Sequence, residues 1–416
     1  MDQCCPVVCC NSAPHRHLPI SSVKGFMYTL VSKPFISKVV YMDSTIVATK
    51  DKPRLIREND LRPLLSCPRI SAAVAMTHLG AKEATAEGIA SALCWQKNED
   101  SRTHEQFKAY LTLLKTPNAN FSLSTANRIY MQQNFKILDD FKKNTQTLYL
   151  AEPVNADFAG NAEAERSKIN TWVAEETRDK IKDLIAEGVL DSLTRMVIVN
   201  AIYFKGNWDV QFDANLTQPL PFKLAPGQTK PVPMMMAKEK YAVCESKDLK
   251  CRAIEIPYKN KDLSMVVILP STDFGLQDLI KELCQEKLER LLNQLGHPMG
   301  EVELTLPKFE VTSSHSLREP LSALGMSDAF SMEKADFSSI TGSQDLYISA
   351  AIHKAFIKVN EEGTEAAAAT AVAFALRCAP IRNMPFIADH PFLYLIKDNR
   401  SQRLILFMGA IVNPTS

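Results

Sequence analysis

Residues 361–370 read Glu-Glu-Gly-Thr-Glu-Ala-Ala-Ala-Ala-Thr, and residues 371–380 continue Ala-Val-Ala-Phe-Ala-Leu-Arg-Cys-Ala-Pro. A run of four alanines by itself favours a helix. The flanks favour a strand instead, because residues 355–359 (Ala-Phe-Ile-Lys-Val) are rich in aromatic and β-branched residues and Pro380 closes the far end. Gly363 supplies a backbone pivot at the entrance.

One face of this predicted strand is small and uncharged. At a period of two, that face carries Thr364, Ala366, Ala368, Thr370 and Val372. Glu365 falls on the opposite face. A strand with such a face can enter a packed sheet without overpacking it. The segment then ends in Leu-Arg-Cys, which a trypsin-like protease would cut between Arg377 and Cys378.

The sequence from Glu361 to Thr370 closely resembles the hinge of inhibitory serpins, and the resemblance runs from about residue 65 to 416. The C-terminal residues 388–414 resemble the ovalbumin-type (clade B) intracellular branch, and the Arg377-Cys378 bond is similar to the reactive bond of the placental thrombin inhibitor group. The family resemblance implies one α+β domain of mixed β-sheets surrounded by helices, with an exposed reactive-centre loop.

The element pattern agrees with one domain. We predict helices at Ile70–Ala81 and Thr85–Cys94, a polar connection at Lys97–His104, a helical face restarting at Phe107, and a long amphipathic helix at Ala162–Ile185. Strands are predicted at Phe121–Met131, Met196–Phe204, Met265–Leu269, Val302–Leu306, Leu346–Val359, Phe392–Ile396 and Leu404–Val412. Strands and helices are intermixed with no linker after residue 65, which favours a single α+β domain.

Residues 1–64 match nothing in the family. We interpret them as an unmatched N-terminal segment, either disordered or from an alternative first exon, and residues 65–416 as the serpin domain. The cysteines at positions 4, 5, 9 and 10 are open to acylation or metal binding, but a loose tail explains them more simply, because no partner follows at zinc spacing. Arg69 stands where the family pattern has a serine, and burying an unpaired guanidinium would cost several kcal/mol.

Composition excludes several function classes. The 48 Lys and Arg residues balance 47 Asp and Glu residues, which gives no reason to expect nucleic-acid binding. No apolar run is long enough to span a membrane, and Met1–Pro6 does not begin a signal peptide. The six cysteines after Cys10 are scattered singly, which is typical of free thiols in a reducing compartment. We therefore expect a cytoplasmic protein, with nuclear entry or signal-independent release left open.

No enzyme motif is present. A nucleophile elbow, a His-Glu-x-x-His pair and a Walker loop are all missing from the sequence. We expect neither catalysis nor a cofactor nor a metal site.

Four residues outside the loop match family positions. Asn200 and His353 lie in two apolar strand runs, and the resemblance assigns them to the hydrogen-bonded "shutter" beneath the point where the main sheet opens. Two hydrogen-bonded core residues would be the simpler interpretation. Lys308 matches the partner of Glu361 in a family ion pair at the top of the sheet, although the two could also be unrelated solvated charges. Trp208 matches a buried Trp of the same "breach" region.

The resemblance implies a suicide inhibitor of trypsin-like serine proteases of the thrombin, trypsin or plasmin type. Cleavage after Arg377 would let the hinge residues Glu361 and Gly363, and the small-faced strand after them, insert into the main sheet and trap the protease covalently. A monomer is expected, and oxidation of Cys378 could tune inhibition. The alternative is a non-inhibitory serpin that acts as a binding, chaperone or storage protein.

Overall fold

The apolar run that begins at Met196 forms β3 (Met196–Gly206), the middle strand of a five-stranded sheet. This computed structural model describes residues 68–93, 95, 100–115, 120–296, 298, 300–363, 384–400 and 404–415. All of them fall within one compact unit. Ten of the eleven β3 residues are buried, as predicted for a strand that is covered on both faces.

The strand order of this central sheet is β10-β11-β3-β1-β2. Its other strands are β1 (Phe121–Gln132), β2 (Val154–Ala156), β10 (Phe309–Ser316) and β11 (Ile348–Val359). β1 is antiparallel to β3, whereas β11 runs parallel to β3 and antiparallel to β10. The contact between β3 and β11, called the seam below, is therefore the parallel junction at the centre of the sheet.

Two further sheets complete the β-structure. One has the order β12-β9-β5-β4, with β4 (Gln218–Ala225), β5 (Gln228–Lys240), β9 (Glu301–Pro307) and β12 (Met384–Ile387). The other has the order β14-β13-β8-β7-β6, with β6 (Ala242–Ser246), β7 (Cys251–Pro257), β8 (Leu263–Pro270), β13 (Phe392–Asp398) and β14 (Leu404–Ile411).

The helices surround these sheets. They are α1 (Pro68–His78), α2 (Glu83–Ala92), α3 (Asp100–Lys115), α4 (Asp139–Tyr149), α5 (Phe158–Glu176), α6 (Leu276–Glu282), α7 (Gln285–Gln294), α8 (Arg318–Leu321) and α9 (Ser338–Thr341). The first two agree with the helices predicted from the sequence. α3 begins at Asp100, within the predicted polar connection Lys97–His104. His104 is buried in this helix.

The long amphipathic helix predicted at Ala162–Ile185 is wrong at its C-terminal end. α5 ends at Glu176, and its first turn, capped by the Asp157 side chain, is separated from the continuous helix by a kink at Asn161. Arg178 and Asp179 both have positive φ angles, of 54° and 60°, which no right-handed helix can accommodate. The apolar residues after this break are still buried, because the chain crosses the sheet in an irregular segment.

The central sheet separates two apolar clusters. Its inner face carries Ile198, Ile202, Ile357 and Val359, which pack with α1 and with the other two sheets. Its outer face carries Val199, Tyr203, Ile352 and Phe356, which pack beneath α5 and the segment that follows it. Side chains alternate between these faces along each strand. The predicted α+β class is confirmed.

Among the residues that the structure describes, no helix combines the length and apolar character needed to cross a membrane.

Candidate functional site

The site is built around a tight turn at the end of β11. The backbone N–H of Asn360 donates to Gly363 O at 2.9 Å, and the N–H of Gly363 donates back to Asn360 O at 3.2 Å. Only Glu361 and Glu362 lie between them, so the chain reverses direction as it leaves the sheet. Gly363 has a φ angle of +133°, which L side chains rarely adopt.

The turn lies against the end of β3. Trp208 donates from its backbone N–H to Glu362 O at 3.1 Å and from its indole Nε1 to Asn360 O at 2.9 Å. A Cβ atom on Gly363 would stand 2.2 Å from Gly206 O. Glycine is therefore needed here both for the φ angle and for the close approach. Trp208 is buried and stacks on Tyr258 at 4.5 Å, so the turn rests on a rigid aromatic base.

Glu361 anchors the same turn from the other side. Its carboxylate accepts from Lys308 Nζ at 2.9 and 3.0 Å and from Thr217 Oγ1 at 2.8 Å. Burial alone would raise the pKa of Glu361, but the hydrogen bonds from Lys308 and Thr217 outweigh it and lower that pKa below its usual value. The structure thus brings together the predicted pair, Lys308 and Glu361, and adds Thr217, which no sequence pattern indicated.

A polar row crosses four strands of the central sheet. The register places Asn127 opposite Asn200, Asn200 opposite His353, and His353 opposite His315. Asn200 Nδ2 donates to Asn127 Oδ1, and the His353 imidazole is hydrogen-bonded through Nδ1 to Asn200 Oδ1. Asn200 and His353 are both buried. Burial, together with the neighbouring His315, lowers the pKa of His353 to about 3, so the ring is neutral at physiological pH.

The polar row lies on the inner face, directly across the seam between β3 and β11. The sequence predicted Asn200 and His353 but missed Asn127 and His315. For Asn127 there was a usable sequence signal, since it shares one face of the predicted strand Phe121–Met131 with the apolar residue Ile129 two positions later. No comparable signal marks His315, because only the register with β11 shows that it faces His353.

The segment between α5 and β3 bridges the seam on the outer face. Lys354 Nζ of β11 donates to Asp183 O at 2.7 Å, and the Tyr347 hydroxyl donates to Leu193 O at 3.1 Å. The same segment is held to α5 by Asn170, whose side-chain amide makes two 2.9 Å hydrogen bonds with the backbone of Ile185. Separating β3 from β11 would require this segment to move.

Several predicted positions lie outside the described residues. These are residues 1–64, the strand positions Thr364, Ala366, Ala368 and Thr370, and the bond between Arg377 and Cys378. Arg69 lies in the first turn of α1, but its side chain is also outside the described set. Within the described ranges, no three His, Cys, Asp or Glu side chains form a group that could hold a metal ion.

The family model for serpins, described as serine protease inhibitors, matches residues 55–414. The chain belongs to the serpin family. This serpin is 41% identical over 350 residues to the leukocyte elastase inhibitor of Equus caballus, an alignment that covers 83% of this chain and 91% of the relative. It is 39% identical over 360 residues to serpin B6 of Pongo abelii, covering 86% and 95%.

Solved structures show the same fold. The serpin superposes on uncleaved ovalbumin with a TM-score of 0.75 at 30% identity, covering 84% of this chain and 92% of that chain. It superposes on human thyroxine-binding globulin with a TM-score of 0.76 at 30% identity, covering 84% and 91%. These relatives place the chain in the ovalbumin-type group of serpins, as the resemblance predicted.

Proposed function

We propose that this serpin inhibits trypsin-like serine proteases and is consumed in doing so. The protease serine Oγ attacks the Arg377 carbonyl carbon, the peptide bond to Cys378 breaks, and the new amine of Cys378 leaves with a proton. The product is an ester between the protease and Arg377. Residues 364–377 then insert into the seam as an additional strand, before water can hydrolyse the ester.

The turn between Asn360 and Gly363 supports this proposal, because a hairpin closed there would set the register of the inserted strand. In a hairpin closed by that pair, opposed residue numbers sum to 360 + 363 = 723. Thr364 would therefore face Val359, Glu365 would face Lys358, and Thr370 would face His353. The antiparallel pairing starts from a turn that is present before cleavage.

This register matches the chemistry of each face. The small side chains at 364, 366 and 368 would face the inner core beside the buried Ile357 and Val359. Larger side chains added to a packed core are destabilising. Thr370 would bring a hydroxyl to the polar row at His353. Glu365 would point outward beside Lys358, whose side chain is 38% exposed and pairs with Glu310 at 2.9 Å. The carboxylate of Glu365, the one charged group of the segment before Arg377, would thus lie in solvent beside an opposite charge.

Insertion also improves the backbone pairing. The seam is the parallel junction of β3 and β11, and parallel pairing is slightly less stable per residue than antiparallel pairing. A strand that runs opposite to both neighbours replaces this single junction with two antiparallel ones. The free energy released holds the attached protease in its displaced position.

The preference for trypsin-like targets rests on Arg377. Arg377 lies 377 − 361 = 16 positions beyond Glu361, which agrees with the loop length of inhibitory serpins. A guanidinium at the cleaved bond suits a protease with an acidic specificity pocket. Several relatives, among them those of Equus caballus and Bos taurus, carry elastase in their printed names, so elastase is the informative comparison enzyme.

The test is incubation with trypsin, thrombin, plasmin and elastase, followed by denaturing electrophoresis. We expect a covalent band with one or more of the first three enzymes, and its loss in Arg377→Ala. A matched pair tests the register. Thr364→Arg should give cleavage without a covalent band, whereas Glu365→Arg should keep the band, because position 365 faces solvent. Cleavage of the unsubstituted protein without any covalent product would instead favour the binding, chaperone or storage alternative.

We also infer a reducing compartment such as the cytoplasm. The described cysteines Cys244, Cys251 and Cys284 are free thiols. Burial raises the pKa of Cys244 to about 11 and that of Cys251 to about 12, so both stay protonated and unreactive. Full inhibitory activity in millimolar reduced glutathione, measured as the stoichiometry of inhibition, is the expected result.

A further inference from the structure

We propose that Pro219 and Pro221 close the free edge of the sheet β12-β9-β5-β4 and so prevent this sheet from pairing with a second copy of the chain. Both prolines lie on β4, which is the edge strand of that sheet, and both are exposed. An edge strand presents backbone N–H and C=O groups to any strand that meets it, so an open edge favours association. The inference is independent of the proposed protease inhibition.

The pairing of β4 with β5 shows which way each proline nitrogen points. Pro219 lies opposite Pro233, and Pro221 lies opposite Pro231. In an antiparallel pair, opposed residues either exchange two N–H···O bonds or turn both groups away from each other. Proline has no N–H, so these two pairs are of the second kind. The backbone nitrogens of Pro219 and Pro221 therefore point to the free side of β4.

Two hydrogen bonds agree with this direction. The N–H of Lys223, two positions after Pro221, donates at 2.8 Å to Asp389 O, which belongs to neither strand. On β5, Pro233 O accepts at 2.9 Å from the N–H of Lys308, on the side away from β4. Odd-numbered positions of both strands thus turn their backbone groups out of the β4–β5 pair.

The free edge of β4 offers no backbone donor between residues 217 and 223, all of which the structure describes. The outward nitrogens of this stretch fall at positions 217, 219, 221 and 223. The N–H of Thr217 donates to Ala214 O at 3.3 Å, and that of Lys223 donates to Asp389 O. The two remaining positions are the two prolines. The edge can accept hydrogen bonds but cannot donate them, and a pairing strand needs both.

The partner that this arrangement excludes is β4 of a second copy. Two copies of one edge can pair about a two-fold axis without the help of any other surface. In the register centred on Leu220, position 219 of each copy meets position 221 of the other, and Lys223 meets Thr217 rather than a like charge. The centre of that register would be held by four N–H···O bonds, two donated by each copy at positions 219 and 221. Proline at both positions removes all of these donors.

The experiment compares the double variant Pro219→Thr/Pro221→Thr with Pro233→Thr. Threonine is well suited to a strand and restores the N–H. Pro233→Thr is the matched control, because Pro233 is equally exposed but its backbone faces away from the free edge and already bonds to Lys308. Sedimentation velocity at about 10 to about 200 µM gives the association constants.

We expect the double variant to dimerise, with an association constant at least about a hundredfold above those of the control and the unsubstituted protein, because its four new hydrogen bonds each contribute modestly. Pro221→Thr alone restores half of the donors and should fall between. Hydrogen–deuterium exchange locates the contact: the new amides at 219 and 221 should exchange slowly at high protein concentration and fast at low concentration, since only the dimer protects them.

A double variant that is as monomeric as Pro233→Thr would overturn the proposal. Equal association of the two variants would also overturn it, because the loss of proline, and not the opening of the edge, would then be the cause. The same holds for a dimer whose amides at 219 and 221 exchange at one rate at both concentrations. If the double variant does not fold, Pro221→Thr carries the same comparison. No protease is used, so these results and those of the inhibition test are independent.

Discussion

His353 and Asn200 are hydrogen-bonded to each other directly across the seam, one on β11 and one on β3. Asn200 Oδ1 can only accept a hydrogen bond, so the proton of the neutral imidazole is held on Nδ1. Asn200 donates a hydrogen bond from its side-chain amide to Asn127 on the next strand. The row therefore joins the two strands that would separate in the proposed insertion, and it depends on a neutral histidine.

Acid should weaken the sheet through this histidine. The unfolded chain binds a proton at His353 near pH 6.5, but the native chain does so only near pH 3. The unfolded state therefore holds more protons between these values, and stability falls as the pH drops through this window. At pH 5 the expected loss is about 2 kcal/mol relative to pH 7.5.

Equilibrium urea unfolding at pH 7.5 and pH 5.0 measures this effect. His353→Gln keeps a side chain that hydrogen-bonds without titrating, so its pH-dependent loss should be smaller than that of the parent by about 2 kcal/mol. His104, whose pKa burial and His78 lower to about 4, should contribute separately. An identical pH dependence in parent and His353→Gln would show that the row tolerates a charged imidazole.

The ion pair between Lys308 and Glu361 should matter more than a geometrically equal pair nearby. The Glu361 side chain is only 12% exposed, so Lys308→Met would leave a nearly buried carboxylate with Thr217 as its main side-chain donor. We expect a loss of about 1–2 kcal/mol in thermal unfolding. Because the pKa of Glu361 is lowered, this contribution is present above about pH 4.5 and disappears as the carboxylate is protonated below it.

Lys358→Met is the control for that measurement. Lys358 pairs with Glu310 at the same 2.9 Å, but both side chains are well exposed, at 38% and 52%. Exposed pairs contribute about 0–1 kcal/mol, so the control should change stability little. Equal losses in the two variants would mean that burial of Glu361 does not strengthen its pair.

Local patterns were enough to predict β1, β3 and β11 of the five-stranded central sheet, but not β2 or β10. The buried run at Met196–Phe204 and the β-branched approach at 355–359 both form strands, since their side chains favour a pleated surface whatever the distant contacts are. The pairs that the family pattern supplied, Asn200 with His353 and Lys308 with Glu361, are in contact in the structure.

Features that depend on distant partners were missed. The hydroxyl of Thr217 reaches Glu361 from 144 positions away, and nothing in the flanking sequence indicates that contact. The end of α5 was placed nine residues too late, because Ile181 and Ile185 keep helical spacing although the backbone breaks at Arg178 and Asp179. The helical spacing of buried residues continues through the break, so only the φ angles reveal that the helix has ended.

Asn170 should hold the irregular segment after α5 in place over the seam. Asn170→Ala removes both hydrogen bonds to buried Ile185 and should destabilise the native protein by about 2–4 kcal/mol. Asn170→Asp keeps the acceptor for Ile185 N–H but loses the donor to Ile185 O, so it should be intermediate. Differential scanning fluorimetry gives the order. An alanine variant as stable as the parent would show that apolar contacts alone fix the segment.

Gly363 gives the most direct test of whether this turn sets the register of the proposed insertion. Gly363→Ala combines a φ angle of +133° with a Cβ only 2.2 Å from Gly206 O, so the turn must move off the end of β3. Gly227 provides the control, because its φ angle is +74° but nothing lies within 4 Å of its Cβ. Gly227→Ala should therefore cost only the backbone term of about 1–2 kcal/mol.

The two alanine variants should also differ in reactivity. Displacing the turn breaks the hydrogen bond from the Trp208 indole to Asn360 O, so Gly363→Ala should shift the tryptophan emission, whereas Gly227→Ala should not. Strand pairing would no longer start from a formed hairpin. Insertion would therefore become slower relative to hydrolysis of the ester. We expect Gly363→Ala to be cleaved by trypsin mostly without a covalent band. If it traps trypsin as efficiently as Gly227→Ala does, the register is set after cleavage rather than by the turn.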